Sequence, residues 1–349
     1  MVKKSQGRSN NITLKEVAAE LGVSIMTVSR AINDRPNVDA KTKQKILDVA
    51  QKMGYTQNHV AKSLVSSKTY TIGVIIPEIS HSFFPEVVRG IEEVTNNKNY
   101  QIFLTNTSDS FEKEKKVIGA LTSKRVDGIL VSSSLTTDDF TYYKQIIGSG
   151  LTIVFFDRCI EDIGVSCIGV NDQTASRQIT EHLIGHEYKK IAYLSGPRRV
   201  SIGKERFDGY LSAMKKHQLE IDERYIVENG FNEKGGYEAM GKLLALPEEV
   251  RPRAVVAVND PVAFGAMEAI KEAGLCIPGD VAIVGFTNDI RAELVSCPLT
   301  TVHQPAYEVG KKAASKLIKT IENKSEPAEN IELITSLVIR RSCGCKLLL

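Results

Sequence analysis

The chain has 349 residues, 25% of them charged and 42% hydrophobic, with a formal net charge of +3. That is ordinary for a globular protein of two or three domains with a sizeable core. No apolar run reaches the length of a membrane span, and the polar start "MVKKSQGRSNN" has no apolar segment of the secretory kind. The six cysteines are irregularly spaced and do not suggest a disulfide framework. A bacterial-type cytoplasm is the expected compartment, with no membrane partner.

Charge is unevenly placed. Residues 1–68 hold 12 Lys/Arg against 5 Asp/Glu, a net of +7; the remainder holds 33 against 37, a net of −4. A basic module that meets a polyanion, joined to a mildly acidic body, accounts for this. A solvated basic arm accounts for the charge alone equally well.

The first elements favour the former. In "TLKEVAAELGVSIMTVSRAIN", Leu14, Val17, Ala18 and Leu21 share one helical face, and Thr13 with Glu16 has the spacing of a capping box. Gly22 ends that helix, Val23 turns inward and Ser24 caps a second helix. This second helix keeps Val28 and Ile32 for the core and exposes Ile25, Met26, Ser29 and Arg30. Two short helices joined by a Gly-containing turn form a helix-turn-helix, whose second helix enters the major groove. After "NVDAKT" a third helix carries the stripe Ile46, Val49, Ala50 and Met53. A plain three-helix bundle is the bland alternative.

The segments "TLKEVAAELGVS", "TVSRAIN", "VDAKTKQKI" and "MGYTQNHVAKSL" closely resemble the headpiece of the lactose/galactose repressor family (LacI/GalR), and the resemblance continues through nearly the whole chain. It implies a DNA-binding transcriptional regulator, a repressor, that binds a palindromic operator as a homodimer and is switched by a small-molecule effector, a sugar or sugar derivative. It implies base readers at Ile25, Met26 and Arg30. Phosphate contacts are implied at Ser24, Thr27, Ser29, Asn33, Asn37 and Thr42, and further DNA contacts at Thr13, Tyr55, Asn58, Ala61 and Lys62. The chemistry agrees: hydroxyls and amides position a protein on phosphates, apolar side chains meet thymine methyls, and Arg30 suits a guanine.

The segment "QNHVAKSLVSSKT" has helical spacing at Val60, Ala61 and Leu64 but is too short to be a stable helix alone. By resemblance it is a hinge helix that forms on DNA, with Leu64 wedged into the minor groove. Gln57 stands where the family usually has Pro, and Lys62 where it has Arg. The expected organisation is therefore a helix-turn-helix domain at 1–57, a hinge at 58–69 and an effector-binding domain at 70–349.

From Tyr70 short apolar strands alternate with helical segments: "TYTIGVII", "NYQIFLTN", "VDGILVSS", "LTIVFFD", "KIAYLSG", "RAVVAVND" and "DVAIVGF". The expected class is α/β, two subdomains with parallel sheets and a ligand cleft beyond the strands' C-terminal ends, like the periplasmic sugar-binding fold. The subdomain near DNA is expected at 70–168 plus 302–330, the distal one at 169–301 plus 331–349.

Strand ends then supply the candidate effector residues. Phe83 and Phe84 resemble stacking aromatics, His81 stands where an amide often sits, and Asp157–Arg158 pairs an acid with a planar bidentate donor suited to vicinal hydroxyls. Arg206, Asn259 and Gln304 align with further ligand positions and Phe231 more loosely. Thr287 stands where many sugar-binding members have Asp. Each has a structural alternative: core packing for the two phenylalanines, an internal pair for Asp157–Arg158, a helix cap for Asn259.

Enzyme signatures are missing. "GPRRVSIGKE" has the wrong spacing for a phosphate loop, and neither Gly-x-Ser-x-Gly nor HExxH occurs. Cys343 and Cys345 in "SCGCK" have no evident ligand partners, so no metal or cofactor is expected. The terminal "RRSCGCKLLL" is too irregular for a coiled coil, which favours a dimer through the body. The remaining alternative, a solute-binding protein without regulatory DNA binding, leaves the basic headpiece unexplained.

Overall fold

The computed structural model describes residues 12–55, 68–137, 140–160 and 162–345. They fall into two compact units, divided between Thr69 and Tyr70.

The first unit is three helices, α1 (Leu14–Leu21), α2 (Ile25–Ile32) and α3 (Ala40–Lys52). Each begins at a side-chain cap. Thr13 and Glu16 form the capping box on α1, Ser24 accepts from the Thr27 amide, and Asp39 accepts from the Thr42 amide. Val17, Ala18, Val28, Ala31, Ile46 and Ala50 close a small core between them. Ile32, expected inside, is only partly buried, and Ala31 takes the inner place.

The second unit holds two parallel sheets. The first contains β1 (Thr71–Ile76), β2 (Gln101–Asn106), β3 (Gly128–Val131), β4 (Thr152–Phe156), β5 (Ser166–Val170) and β11 (Asn330–Leu333), in the order β11-β5-β4-β3-β1-β2. Its helices are α4 (Phe83–Asn97), α5 (Phe111–Ser123), α6 (Phe140–Gly148) and α11 (Ala306–Glu322). Because successive strand residues face opposite sides, Ile72, Val74 and Ile76 pack into one cluster with α4 and α11. Ile75, Ile129 and Val131 pack into another with α5. Around β1, β3 and β4 both faces are covered, so these central strands read as nearly unbroken apolar runs.

The second sheet runs β7-β6-β8-β9, from β6 (Ile191–Ser195), β7 (Ile226–Glu228), β8 (Ala254–Ala257) and β9 (Ala282–Val284). Helices α7 (Asp172–Gly185), α8 (Ser201–Lys216), α9 (Glu233–Leu244) and α10 (Asp260–Glu272) alternate with these strands. A third, two-stranded sheet pairs β10 (Thr301–His303) with β12 (Ser336–Val338), antiparallel. The chain crosses between the two halves after β5, after β10 and after β11, and three parallel crossings are the wiring of a hinge.

Four features depart from the sequence reading. β5 ends at Val170 and β11 at Leu333, both in the first sheet, a few residues past the approximate bounds of 168 and 330. Strands β5, β7, β10, β11 and β12 are short and only partly buried or irregular in pattern, which hides them from periodicity. Cys159 and Cys167 form a disulfide across the turn that joins β4 to β5, whereas no bridge was expected. And Cys343 and Cys345 are not without neighbours: His182 and His186 lie beside them.

Candidate nucleic-acid interface and effector pocket

The headpiece presents a protruding helix. Ile25 and Met26, at the N-terminal end of α2, are 49% and 62% exposed, an unusual state for large apolar side chains at the start of a short helix. Arg30 is exposed one turn on, whereas Ser29 is half-buried. Around them lie polar groups already organised by local bonds. Ser24 Oγ and Thr27 Oγ1 are 2.9 Å apart, and Asn33 Nδ2 donates to the Ser29 carbonyl at 2.8 Å. Asn37 holds a left-handed backbone with φ 75°. Thr13 is exposed at the start of α1, and Thr42 and Tyr55 are half-buried at the two ends of α3. Asn58, Ala61, Lys62 and Leu64 lie outside the described residues.

In the second unit, one cavity sits where the C-terminal edges of the two sheets face each other. It is lined by His81, Phe83, Phe84, Asp157, Arg158, Arg206, Phe231, Asn259, Thr287 and Gln304. All ten effector candidates thus come together, from loops after β1, β4, β7, β8, β9 and β10, from the start of α4 and from α8. Ser82, Ile202, Pro261 and Asp289 line it too and were missed. Asp289 could have been found, since it sits two residues beyond Thr287 in the same strand-end loop.

The two arginines do different things. Arg206 is 3% exposed, with Nε donating to Asp172 at 2.6 Å, Nη1 donating to the Val258 carbonyl at 2.9 Å and its plane 3.9 Å from the Phe286 ring. Its polar reach is largely taken up by the scaffold. Arg158, also 3% exposed, donates from Nη1 to Asp109 and lies 5.0 Å from the Phe231 ring centre, but its Nε has no partner among the described residues. A buried N–H without an acceptor is costly, so it marks where a ligand oxygen is wanted.

Two carboxylates line the same cavity. Asp157 holds φ 59°, a left-handed conformation that aspartate enters more readily than most side chains. Burial pushes its carboxyl up to about 6, against the pull of Arg158 and Arg206. Asp289 is held below the usual carboxylate range: burial works the other way but is outweighed by hydrogen bonds from Arg291. It supplies an ionised acceptor near Thr287, where the resemblance leads one to expect Asp. Burial likewise keeps His81 below its ordinary value, hence neutral at pH 7.

Aromatic faces complete the site. Phe83 and Phe84 meet edge to face at 5.3 Å and belong to the core of the first half while also lining the cavity. Phe231 packs over Gly196, where a Cβ would fall 2.5 Å from its ring, so only glycine permits this approach. Asn259 caps α10 by accepting from the Val262 amide at 2.9 Å. These side chains fill most of the cavity, leaving about 40 Å³ open, room for a few waters.

Comparisons with known proteins agree with both units. Residues 13–58 match "Bacterial regulatory proteins, lacI family", and residues 180–343 match "Periplasmic binding protein-like domain". The HTH-type transcriptional repressor PurR of Pasteurella multocida (strain Pm70) is 35% identical over 96% of this chain and 99% of its own. The HTH-type transcriptional regulator RegA of Clostridium saccharobutylicum is 34% identical over 95% and 98%. Among solved structures, the transcriptional regulator CelR in complex with cellobiose superposes with a TM-score of 0.73 at 27% identity, over 95% of this chain and 100% of that one. No helix among the described residues is long and apolar enough to cross a membrane. The chain therefore belongs to the lacI family of bacterial regulatory proteins, and is a DNA-binding transcriptional regulator rather than an enzyme.

Proposed function

We propose that this protein is a cytoplasmic repressor that binds a palindromic operator as a homodimer, and that a small polyhydroxylated molecule in the body cavity sets its affinity for DNA. The carrying observation is the convergence of strand-end side chains from both sheets on one cavity. Asp157 offers an acceptor and Arg158 Nε a donor unused among the described residues, a match for vicinal hydroxyls, and Phe83, Phe84 and Phe231 offer ring faces. A sugar needs more room than the present free space, so binding has to part the two halves or move Phe231 and Arg158. Such a ligand has different affinities for the two arrangements, which is what a switch requires.

On the DNA side, α2 occupies the major groove, with Ile25, Met26 and Arg30 at base edges. Ser24, Thr27, Ser29, Asn33, Asn37 and Thr42 lie on phosphates, and Thr13 and Tyr55 extend the contact. Residues 58–69, with Asn58, Ala61, Lys62 and Leu64, act as the hinge. One short half-site gives little affinity against a genome of competitors, so two headpieces on a twofold body are needed. In the body, the edge strand β2 leaves Phe103 and Leu104 45% and 39% exposed, apolar surface available to a second copy.

The test has two stages. Random duplex DNA selected with the full-length protein should yield an inverted repeat, and sedimentation should give a dimer. Sugars and sugar phosphates are then screened by thermal shift; a hit should alter affinity for the selected repeat and lose its shift in Asp157→Ala. Failure to select any repeat would favour a plain solute receptor.

A further inference from the structure

The C-terminal segment returns to α7 at a point remote in sequence. His182, in the last turn of α7, and His186, the residue that caps its C-terminal end, are four apart, and their side chains meet Cys343 and Cys345. His186 Nε2 lies 2.9 Å from Cys345 Sγ, and His182 Nε2 lies 3.6 Å from the same sulfur. One nitrogen or sulfur from each of the four residues falls within 4.8 Å of all the others.

We propose that these four side chains form a zinc site that fastens the C-terminal segment to α7. Two thiolates and two neutral imidazoles are a tetrahedral S2N2 donor set that selects Zn²⁺ over hard cations. Tetrahedral Zn²⁺ with Zn–N of about 2.0–2.1 Å and Zn–S of about 2.3 Å places its ligand atoms about 3.3–3.8 Å apart. To reach that, the widest pair, within 4.8 Å, closes by about 1 Å, while His186 Nε2 and Cys345 Sγ, now 2.9 Å apart, move slightly apart to admit the ion.

The surroundings are prepared. Gly344 between the two cysteines has φ 90°, a conformation that glycine adopts without strain and that lets both thiols turn toward the histidines. The preceding residue is anchored on β9: Ser342 accepts from the Ile283 amide through its carbonyl at 2.9 Å and donates from Oγ to the Ile283 carbonyl at 2.6 Å. Thr300 Oγ1 donates to Cys343 Sγ at 3.1 Å, the outer hydrogen bond that holds a thiolate ligand in place. Cys343 is buried, while His182 and Cys345 are partly open, leaving an entry path for the ion.

Charge balances. Binding releases the two thiol protons to solvent, and two thiolates with Zn²⁺ leave no net charge in a partly buried place. The cation also sits at the C-terminal, electronegative end of α7.

The experiment uses the full-length, tag-free protein. After reduction and dialysis against Zn²⁺ with a competing chelator, elemental analysis should find one zinc per chain, held with nanomolar or tighter affinity. Co²⁺ in its place should show thiolate charge-transfer bands and intense tetrahedral d–d absorption. Removing zinc should lower the Tm, and adding it back should restore it. Cys345→Ser and His186→Gln should lose the metal and the Tm response, whereas Cys276→Ser, an exposed cysteine outside the cluster, should keep both. Zinc retained in the double variant Cys345→Ser/His186→Gln overturns the proposal. So does a reduced parent that binds no zinc, or one whose cobalt complex lacks the thiolate bands.

Discussion

Asn259 and Phe231 are joined by a hydrogen bond from Nδ2 to the phenylalanine carbonyl at 2.9 Å, while Oδ1 of the same amide caps α10. One side chain thus ties a helix start to the loop that carries an aromatic ring into the cavity. Asn259→Ala removes the cap and leaves a buried carbonyl bare, an expected loss of about 2 kcal/mol in urea unfolding. Asn259→Asp keeps the cap but not the donor, so it should lose less stability while still loosening Phe231. Equal losses in the two variants would show that the carbonyl bond, not the cap, carries the effect.

Asp157 predicts a pH dependence. Its folded carboxyl ionises near 6 and the ordinary value is 3.8, so the neutral acid is favoured by folding. The associated stability is present below the unfolded value and is lost as pH rises through about 6. Asp157→Asn should therefore be more stable than the parent at pH 8, by about 1–2 kcal/mol after screening, and indistinguishable near pH 4. Asp260, also pushed up to about 6 by burial, is common to both proteins and cancels in the difference. An effector that donates hydroxyls to the ionised Asp157 should bind more weakly as pH falls through 6. A variant less stable than the parent at pH 8 would contradict this.

Thr287 holds φ 130° at the end of β9, a region that β-branched residues rarely enter. Such strain costs about 1–3 kcal/mol, and relief by glycine is partly offset by about 0.5–1 kcal/mol of unfolded-state entropy. Thr287→Gly should be at least as stable as the parent in thermal unfolding. Thr287→Ala, which keeps the Cβ, should show no gain. Thr287→Asp should shift the ranking of sugars in a thermal-shift screen, since it adds a second carboxylate near Asp289.

For DNA, Arg30→Ala should lower operator affinity by about 1–3 kcal/mol and relax discrimination at one base pair. Affinity of the parent should fall steeply with salt, because residues 1–68 carry a net +7 from 12 Lys/Arg and 5 Asp/Glu. Leu64→Ala should weaken operator binding far more than non-specific binding, since unstacking a step matters only at a deformable site. Binding insensitive to salt, or equal losses on both DNAs, would refute groove docking and the wedge respectively.

Much of this molecule could be read from local pattern. The capping box of Thr13 and Glu16, the turn at Gly22 and the inward stripe of α1 to α3 are decided by residues three or four apart. The long buried strands are likewise visible, because a strand covered on both faces is apolar throughout. The short strands β5, β7 and β10 to β12 escaped because their residues become strand-like only through their neighbours in the sheet, and local propensity is overridden there.

By itself, then, the sequence determined the helix-turn-helix, the α/β alternation and the places where strands end, all properties of near neighbours along the chain. Resemblance added which strand-end residues to look at. Only the tertiary structure decided that Asp157, Arg158, Phe231 and Thr287, spread over both sheets, line one cavity, and that Arg206 is held by Asp172 while Arg158 Nε has no partner among the described residues. It also decided that Cys343 and Cys345 meet two histidines of α7 and that Cys159 bonds to Cys167. Periodicity carries no information about such meetings: they depend on how sheets stack and crossings return, which burial over the whole body fixes rather than any single stretch of chain.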